Sequence, residues 1–162
     1  GAAGDSGGCP ICLESFSGGA LCTLPCKHEF HKDCVEDLRK HGIQQACPLC
    51  RVMLPPGPEQ LFEDAVCLYV KTAARYRALD SSWKPRTTSE KKIMAHVVEL
   101  LSNAANQGHI RAAYNLGSLY LIGSGYDQDY KKAVKWIRKA ADQGHATAQN
   151  NVGGMYFKGD GV

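Results

Sequence analysis

Eight side chains that bind soft or borderline metals recur at short, fixed intervals near the start of this 162-residue chain. The series is Cys9-x2-Cys12, thirteen residues, Cys26-x-His28-x2-His31-x2-Cys34, twelve residues, and Cys47-x2-Cys50. A two-residue gap lets both thiolates of a pair reach one ion at about 2.3 Å from a tight backbone turn. Thiolate and imidazole donors in this mixture point to zinc. Eight ligands close two tetrahedral sites and leave no coordination position for water, so the metal is expected to be structural rather than catalytic. Spacing alone allows the ligands to pair sequentially or crosswise. Cys22 competes on spacing with Cys26 for one position.

The remaining cysteines argue the same way. Seven of the eight fall between Cys9 and Cys50, with His28 and His31 interleaved. A disulfide framework needs no histidines and belongs to secreted chains, so a reducing compartment, cytoplasmic or nuclear, is expected. If Cys26 is the ligand, Cys22 and Cys67 stay outside the set, Cys22 as a small apolar strand residue and Cys67 as a helix-packing one. Neither is flanked by a base, which argues against a thioester-forming enzyme or a thiol protease.

The elements that must hold these ligands are short. A block of some 42 residues cannot bury enough apolar surface to fold unaided, whereas structural zinc contributes on the order of 10–16 kcal/mol per site. Gly1 to Gly8 reads as a small, polar, flexible segment. Pro55-Pro56-Gly57-Pro58 closes the cysteine-rich block as a stiff break, because proline fixes φ and disfavours helix before it.

Beyond that break the pattern is helical. Leu61, Phe62, Ala65, Val66, Tyr69, Val70, Ala73 and Tyr76 recur at three- and four-residue spacing, with Pro58 suited to a first turn and an end near Leu79. Asp80 to Thr88 reads as a loop. Ser89 is placed to cap a second helix carrying Ile93, Val97, Leu100 and Leu101 on one side. The sequence then repeats at an offset of 36: Ala104-Ala105-Asn106-Gln107-Gly108-His109 returns as Ala140-Ala141-Asp142-Gln143-Gly144-His145. The same offset maps Asn115, Gly117, Tyr120 and Gly123 onto Asn151, Gly153, Tyr156 and Gly159. A repeat of this length built from two helices marks an α-solenoid. Gly108 and Gly144 fall where a helix end takes a left-handed residue, and Ala112, Gly117 and their equivalents Ala148 and Gly153 allow close helix approach. Gly123-Ser124-Gly125 follows a helix rather than a strand, so it reads as a tight turn and not a phosphate loop.

The charge balance excludes little. The net charge is +3, with residues 1–50 at −2 and the remainder at +5. Lys71, Arg75, Arg77, Lys84, Arg86, Lys91 and Lys92 form a loose basic stretch that reads as solvated helix and linker. Nucleic acid is not expected as a partner. No apolar run is long enough to span a bilayer, which leaves room for a tether outside this segment.

Two resemblances follow from these residues. The ligand order, with Leu24-Pro25-Cys26-Lys27-His28-Glu29-Phe30-His31, resembles the RING finger with two central histidines. That resemblance implies a small α+β cross-brace domain over residues 9–54, with Cys9, Cys12, His31 and Cys34 on the first zinc. It assigns Cys26, His28, Cys47 and Cys50 to the second. It further implies a ubiquitin ligase that works without a covalent intermediate and therefore without a catalytic nucleophile of its own. A ubiquitin-conjugating enzyme would be contacted by Ile11, Leu38, Pro48 and Leu49. Arg51 would bridge that enzyme and its ubiquitin. Leu38 departs from the tryptophan common there, which reduces contact area. The rival readings are a non-enzymatic, zinc-stabilised interaction scaffold and a zinc-dependent nucleic-acid module.

The strings Ala113-Tyr114-Asn115-Leu116-Gly117-Ser118-Leu119-Tyr120 and Ala133-Val134-Lys135-Trp136-Ile137-Arg138-Lys139-Ala140-Ala141 resemble Sel1-like repeats, relatives of the tetratricopeptide repeat. They imply an all-α solenoid over residues 90–162 that holds a protein substrate or adaptor. Residues 55–58 are then a linker and 59–89 a helix and loop forming a divergent cap. The last repeat is expected to be truncated, with Val152, Met155, Tyr156 and Phe157 partly exposed.

Overall fold

The computed structural model describes residues 8–41, 45–74, 84–85 and 87–160. It divides into two compact units, Gly1–Gly57 and Pro58–Val162.

The first unit has almost no regular structure to hold it. A 3-10 turn at Phe16–Gly18 precedes β1 (Leu21–Thr23) and β2 (Glu29–His31), followed by α1 (Lys32–His41). The two strands pair antiparallel with Leu21 opposite His31, Cys22 opposite Phe30 and Thr23 opposite Glu29. Between them Leu24 N–H donates to His28 O at 2.9 Å and Lys27 N–H to Leu24 O at 2.8 Å, closing the turn. The apolar core consists of Cys9, Leu24, Phe30, Val35, Cys47 and Leu54. Two of its six residues are metal-ligand candidates, so this core is small even by the standards of short domains. From α1, Arg39 Nη2 donates to Pro55 O at 3.0 Å. Gly57 is buried beside the same side chain, where an added β-carbon would stand 2.9 Å from Arg39 Cδ.

The second unit is all helix among the described residues: α2 (Pro58–Ala73), α3 (Thr88–Asn106), α4 (Ile110–Ile122), α5 (Tyr130–Asp142) and α6 (Ala146–Lys158). Each helix packs on the next. The continuous core runs from Leu61, Phe62 and Ala65 through Met94, Val97 and Leu101 to Leu116, Ile137 and Met155.

Several local expectations need correction. The cap of α3 is Thr87, not Ser89: Glu90 N–H donates to Thr87 Oγ1 at 3.1 Å and Thr87 N–H to Glu90 Oε2 at 3.0 Å. Glu90 lies three residues after Thr87, so only Thr87 can form this reciprocal box, and Ser89 falls inside the helix. Cys67 is exposed rather than packed. Val70 is likewise exposed, while Thr72 is buried with its hydroxyl satisfied by donation to Leu68 O at 2.8 Å. Met155 is buried in the core; Tyr156 and Phe157 are the residues of that group left exposed, and Val152 is half-buried. The expected helix end near Leu79, the side chain of Tyr76, most of the 80–88 loop, Arg75, Arg77 and Arg86, and the segment before Gly8 lie outside the described residues.

The repeat signals behave as read except at Gly153, where an added β-carbon would meet nothing within 4 Å and no close helix approach uses the glycine. Gly108 (φ +97°) and Gly144 (φ +87°) are left-handed after α3 and α5, and Gly123 (φ +71°) ends α4. Ser124 is buried, with Tyr69 Oη and Ser124 Oγ 2.9 Å apart. The Gly123-Ser124-Gly125 turn therefore commits its hydroxyl to the fold. At the next helix start, His109 Nδ1 accepts Ala112 N–H at 3.0 Å while its ring stacks on Phe62, centroids 4.5 Å apart. One repeat later His145 Nδ1 accepts Ala148 N–H at 3.2 Å and stacks on Tyr114, also at 4.5 Å. Phe62 and Tyr114 are each the fifth residue of their helices, and Ala65 and Gly117 each the eighth. The α2–α3 pair therefore repeats the arrangement of α4–α5 with alanine where α4 has glycine.

Candidate metal centre

Two backbone loops of the same design carry the outer cysteine pairs. In the first, Cys9-Pro10-Ile11-Cys12, Leu13 N–H donates to Cys9 O at 2.8 Å and Cys9 N–H to Glu14 O at 2.7 Å. In the second, Cys47-Pro48-Leu49-Cys50, Arg51 N–H donates to Cys47 O at 2.8 Å and Cys47 N–H to Val52 O at 2.8 Å. Short bridges close both loops at matching places, Gly8 with Ser15 and Ala46 with Met53. Leu13 (φ +65°) and Arg51 (φ +60°) are both left-handed without being glycine. That conformation costs on the order of 1–2 kcal/mol per residue and persists only where the surroundings fix it. Turning the chain around a shared ion is such a constraint.

The central ligands complete each set. His31 ends β2, and Cys34 lies in the first turn of α1. Cys26 and His28 flank Lys27 (φ +66°) in the turn between the strands. The structure brings Cys9, Cys12, His31 and Cys34 into one group and Cys26, His28, Cys47 and Cys50 into another, with the ligand atoms of each group within 4.8 Å of one another. This is the crosswise pairing, and it excludes the sequential one. Cys26 belongs to the second group; Cys22 stays in β1, half-buried.

The distances suit a tetrahedral ion. Cys12 Sγ and His31 Nδ1 are 3.3 Å apart, and Cys47 Sγ and His28 Nδ1 are 3.6 Å apart. Bond lengths of about 2.3 Å to sulfur and 2.0–2.1 Å to nitrogen give a tetrahedral edge of about 3.6 Å. Nδ1 is thus the nitrogen that both histidines turn toward the thiols of their group. The His31 ring is held by the edge of Phe16, centroids 5.5 Å apart, and by Gly19, where a β-carbon would stand 3.2 Å from His31 Cδ2.

Ionisation also fits a cation. Burial pushes the Cys9 thiol up, but backbone N–H groups of Cys12, His31 and Ile11, with the Cys12 side chain, outweigh it and bring it from 9.0 to about 6. At the matching position Cys47 behaves alike: burial raises it, and the N–H groups of Cys50 and Leu49 with the side chains of Cys50 and Cys26 bring it to about 7. Cys34 goes the other way, pushed to about 12 by burial and then by the Cys12 and Cys9 sulfurs. For Cys50 the Val52 N–H pulls down, but burial and the sulfurs of Cys26 and Cys47 outweigh it. Each group thus holds one thiol that ionises readily and one that resists, first because it is buried and then because of the sulfurs beside it. A divalent ion removes that conflict.

The other expected site residues are placed as follows. Ile11 and Leu38 are half-buried against the finger's core, and Pro48, Leu49 and Arg51 are exposed. Ile11 and Leu49 hold equivalent places in the two loops. That equivalence, an offset of 38 between Cys9-Pro10-x-Cys12 and Cys47-Pro48-x-Cys50, was legible in the sequence as a repeated Cys-Pro-x-Cys string.

Comparison with known proteins agrees with this geometry. Residues 7–51 match the family model described as Ring finger domain. The N-terminal unit is a RING finger. Residues 110–145 and 146–162 match the Sel1 repeat model. Among curated relatives, E3 ubiquitin-protein ligase Praja-1 of Mus musculus is 48% identical over 58 residues, covering 35% of this chain and 10% of that protein. E3 ubiquitin-protein ligase MPSR1 of Arabidopsis thaliana is 37% identical over 59 residues, covering 36% of this chain and 28% of that protein. The chain therefore spans less than a third of the length of these relatives. Among solved structures, the crystal structure of c5321, a protective antigen of uropathogenic Escherichia coli strains displaying an SLR fold, is 26% identical with a TM-score of 0.43. It covers 80% of this chain and 27% of its own. Among the described residues no helix is long and apolar enough to cross a membrane.

Proposed function

We propose that this chain is the catalytic end of a RING-type ubiquitin ligase. Its two ligand groups each hold one structural zinc ion, whose charge keeps all the bound thiols deprotonated. Thiolate ligands in this number fit a reducing compartment. The finger binds a ubiquitin-conjugating enzyme through Ile11, Leu38, Pro48 and Leu49, while Arg51 holds the thioester-linked ubiquitin against that enzyme.

No nucleophile is required of the chain. A substrate lysine amine attacks the thioester carbonyl, a C–N bond forms, the C–S bond breaks and the conjugating enzyme's thiol leaves. The finger contributes orientation, which lowers the barrier by fixing the reacting geometry. The Sel1-like helices recruit the substrate or an adaptor. The single observation that carries this reading is the matched pair of loops. Both are fixed by ligands, and they display Ile11 and Leu49 at one equivalent position and an exposed Arg51 at the other.

The test is discharge of ubiquitin from a charged conjugating enzyme to free lysine. Ile11→Ala weakens the enzyme contact and Arg51→Ala slows discharge, each by roughly tenfold or more, while both variants keep two zinc ions. Wild-type discharge rates in both would overturn the reading. A non-enzymatic scaffold is the second reading, favoured by the half-buried Leu38, which offers little surface to a partner; it predicts no discharge with any conjugating enzyme.

A further inference from the structure

Helix α5 carries five cations in thirteen positions: Lys131, Lys132, Lys135, Arg138 and Lys139. Its apolar stripe, Ala133, Val134, Ile137 and Ala140, is buried, so the basic residues occupy the opposite side. Lys131, Lys135 and Arg138 recur at i, i+4 and i+7, and Lys132, Trp136 and Lys139 form a second row beside them. On an ordinary solvated helix such rows alternate in sign, because like charges three or four apart repel. Here no anion stands between Tyr130 and Ala141, and the helix's carboxylate, Asp142, comes only at its end, four residues after Arg138. Among the described residues only Lys132 has an ion-pair partner, Asp129 at 3.2 Å. Lys139 instead donates to the neutral Asn106 Oδ1 at 3.1 Å.

Aromatic rings stand where carboxylates would. Lys135 Nζ lies 5.9 Å and Lys139 Nζ 5.1 Å from the Trp136 ring centroid. The Arg138 guanidinium lies 5.8 Å from the ring of Tyr156 on α6, which is exposed. Contact with a ring face attracts a cation but leaves its outward side open to an anion.

We infer that this face of α5, extended by Tyr156, docks a short acidic protein segment. Its carboxylates pair with Lys131, Lys135, Arg138 and Lys139, and an apolar side chain lies on Trp136. Dimensions favour a peptide over a nucleic acid. From Lys131 to Lys139 the helix advances about 12 Å, the length of about four extended residues. Asp127 and Asp129 stand before this island and Asp142 after it. A polyanion running along the helix meets those carboxylates, whereas a short peptide ends before them. The inference rests on reading the repeats as the recruiting half and names the chemistry of what they recruit.

The experiment uses the full chain and a fluorescein-labelled peptide of Asp and Glu flanking one Phe, read by anisotropy. The intact chain binds it, and K135E/R138E together weaken binding by roughly tenfold or more, as does K135Q/R138Q to a smaller degree. Lys71→Glu on α2 serves as the charge control and leaves binding within roughly twofold, as for a rim charge. Circular dichroism checks that all variants keep their helix content. Equal binding by the intact chain and K135E/R138E, no binding by the intact chain, or tighter binding to a duplex DNA of equal charge would each overturn the assignment. Ubiquitin discharge to free lysine is measured on the same variants and stays unchanged. Loss of peptide binding with intact discharge in the unmodified chain would remove the docking face and leave the ligase reading standing.

Discussion

Gly117 of α4 lies so close to α5 that a β-carbon on it would stand 2.5 Å from Ile137 Cγ1, 3.0 Å from Ile137 N and 3.2 Å from Ala133 O. Two of those three atoms are backbone, so a new methyl cannot be relieved by turning one side chain. Gly117→Ala is expected to lower the stability of the helical unit by about 1–3 kcal/mol, less the roughly 1 kcal/mol that alanine gains in a helix. Gly153 holds the same repeat position in α6, and a β-carbon there meets nothing within 4 Å. Gly153→Ala should therefore stabilise by about 0.5–1 kcal/mol. Thermal melts of both variants check the pair, and opposite signs are the expected outcome.

The histidines that open α4 and α6 do two jobs with one ring. Nδ1 of His109 caps the helix, its face covers Phe62, and Nε2 lies 2.9 Å from Glu59 Oε2. Removing the cap, the stack and the Glu59 contact in His109→Ala should cost on the order of 2 kcal/mol, while His109→Asn keeps a cap and loses the stack and the Glu59 contact. Urea midpoints for the three proteins should fall in that order. A midpoint for His109→Asn equal to that for His109→Ala would show that the cap contributes nothing.

Metal content separates Cys26 from Cys22. Cys26→Ser should leave one zinc per chain and a largely unfolded finger, whereas Cys22→Ser, altering a half-buried strand residue, should keep two. Chelation should melt the finger and spare the helices, since Pro58–Val162 has its own continuous core. Elemental analysis alongside far-UV circular dichroism reads both. One zinc in the intact protein would refute the two-site reading.

The parts legible in the sequence were those where chemistry limits the choice of residue. Only Cys and His can serve at eight spaced ligand positions, and only small residues fit where Gly117 meets Ile137. Hence the eight ligands and the 36-residue repeat were readable, whereas the crosswise pairing came from the family resemblance, since spacing alone left it open. Helix α3 was read as part of the solenoid, but α2 only as a divergent cap and not as the first helix of the same repeat, because Ala65 replaces the glycine and the defining contact, Phe62 under His109, is between residues 47 apart. Thr87 was passed over although Glu90 marks it as the first half of a capping box. Cys67 and Val70 were assigned to packing by helical spacing alone. Spacing gives a stripe but not its width, which depends on how closely the neighbouring helix approaches.

Asp129 gives a pH prediction of definite sign. Its carboxylate accepts Lys132 N–H at 3.0 Å as the cap of α5 and pairs with Lys132 Nζ at 3.2 Å. The Lys132 N–H is the main cause holding its pKa below the ordinary 3.8, assisted by the Lys132 side chain and opposed by burial. A carboxyl depressed in the folded state contributes stability that is present above its unfolded pKa and is lost as pH falls through the lower native value. Asp129→Asn keeps a side-chain oxygen for the cap but has no proton to bind, so its contribution is independent of pH. With chelator present throughout to remove the finger's own acid sensitivity, the helical unit of the unaltered chain should melt above that of Asp129→Asn at neutral pH. The gap should narrow below the ordinary carboxylate pKa and close once Asp129 is protonated. A gap of constant size from neutral pH to below that value would mean that the charge on Asp129 does not stabilise α5.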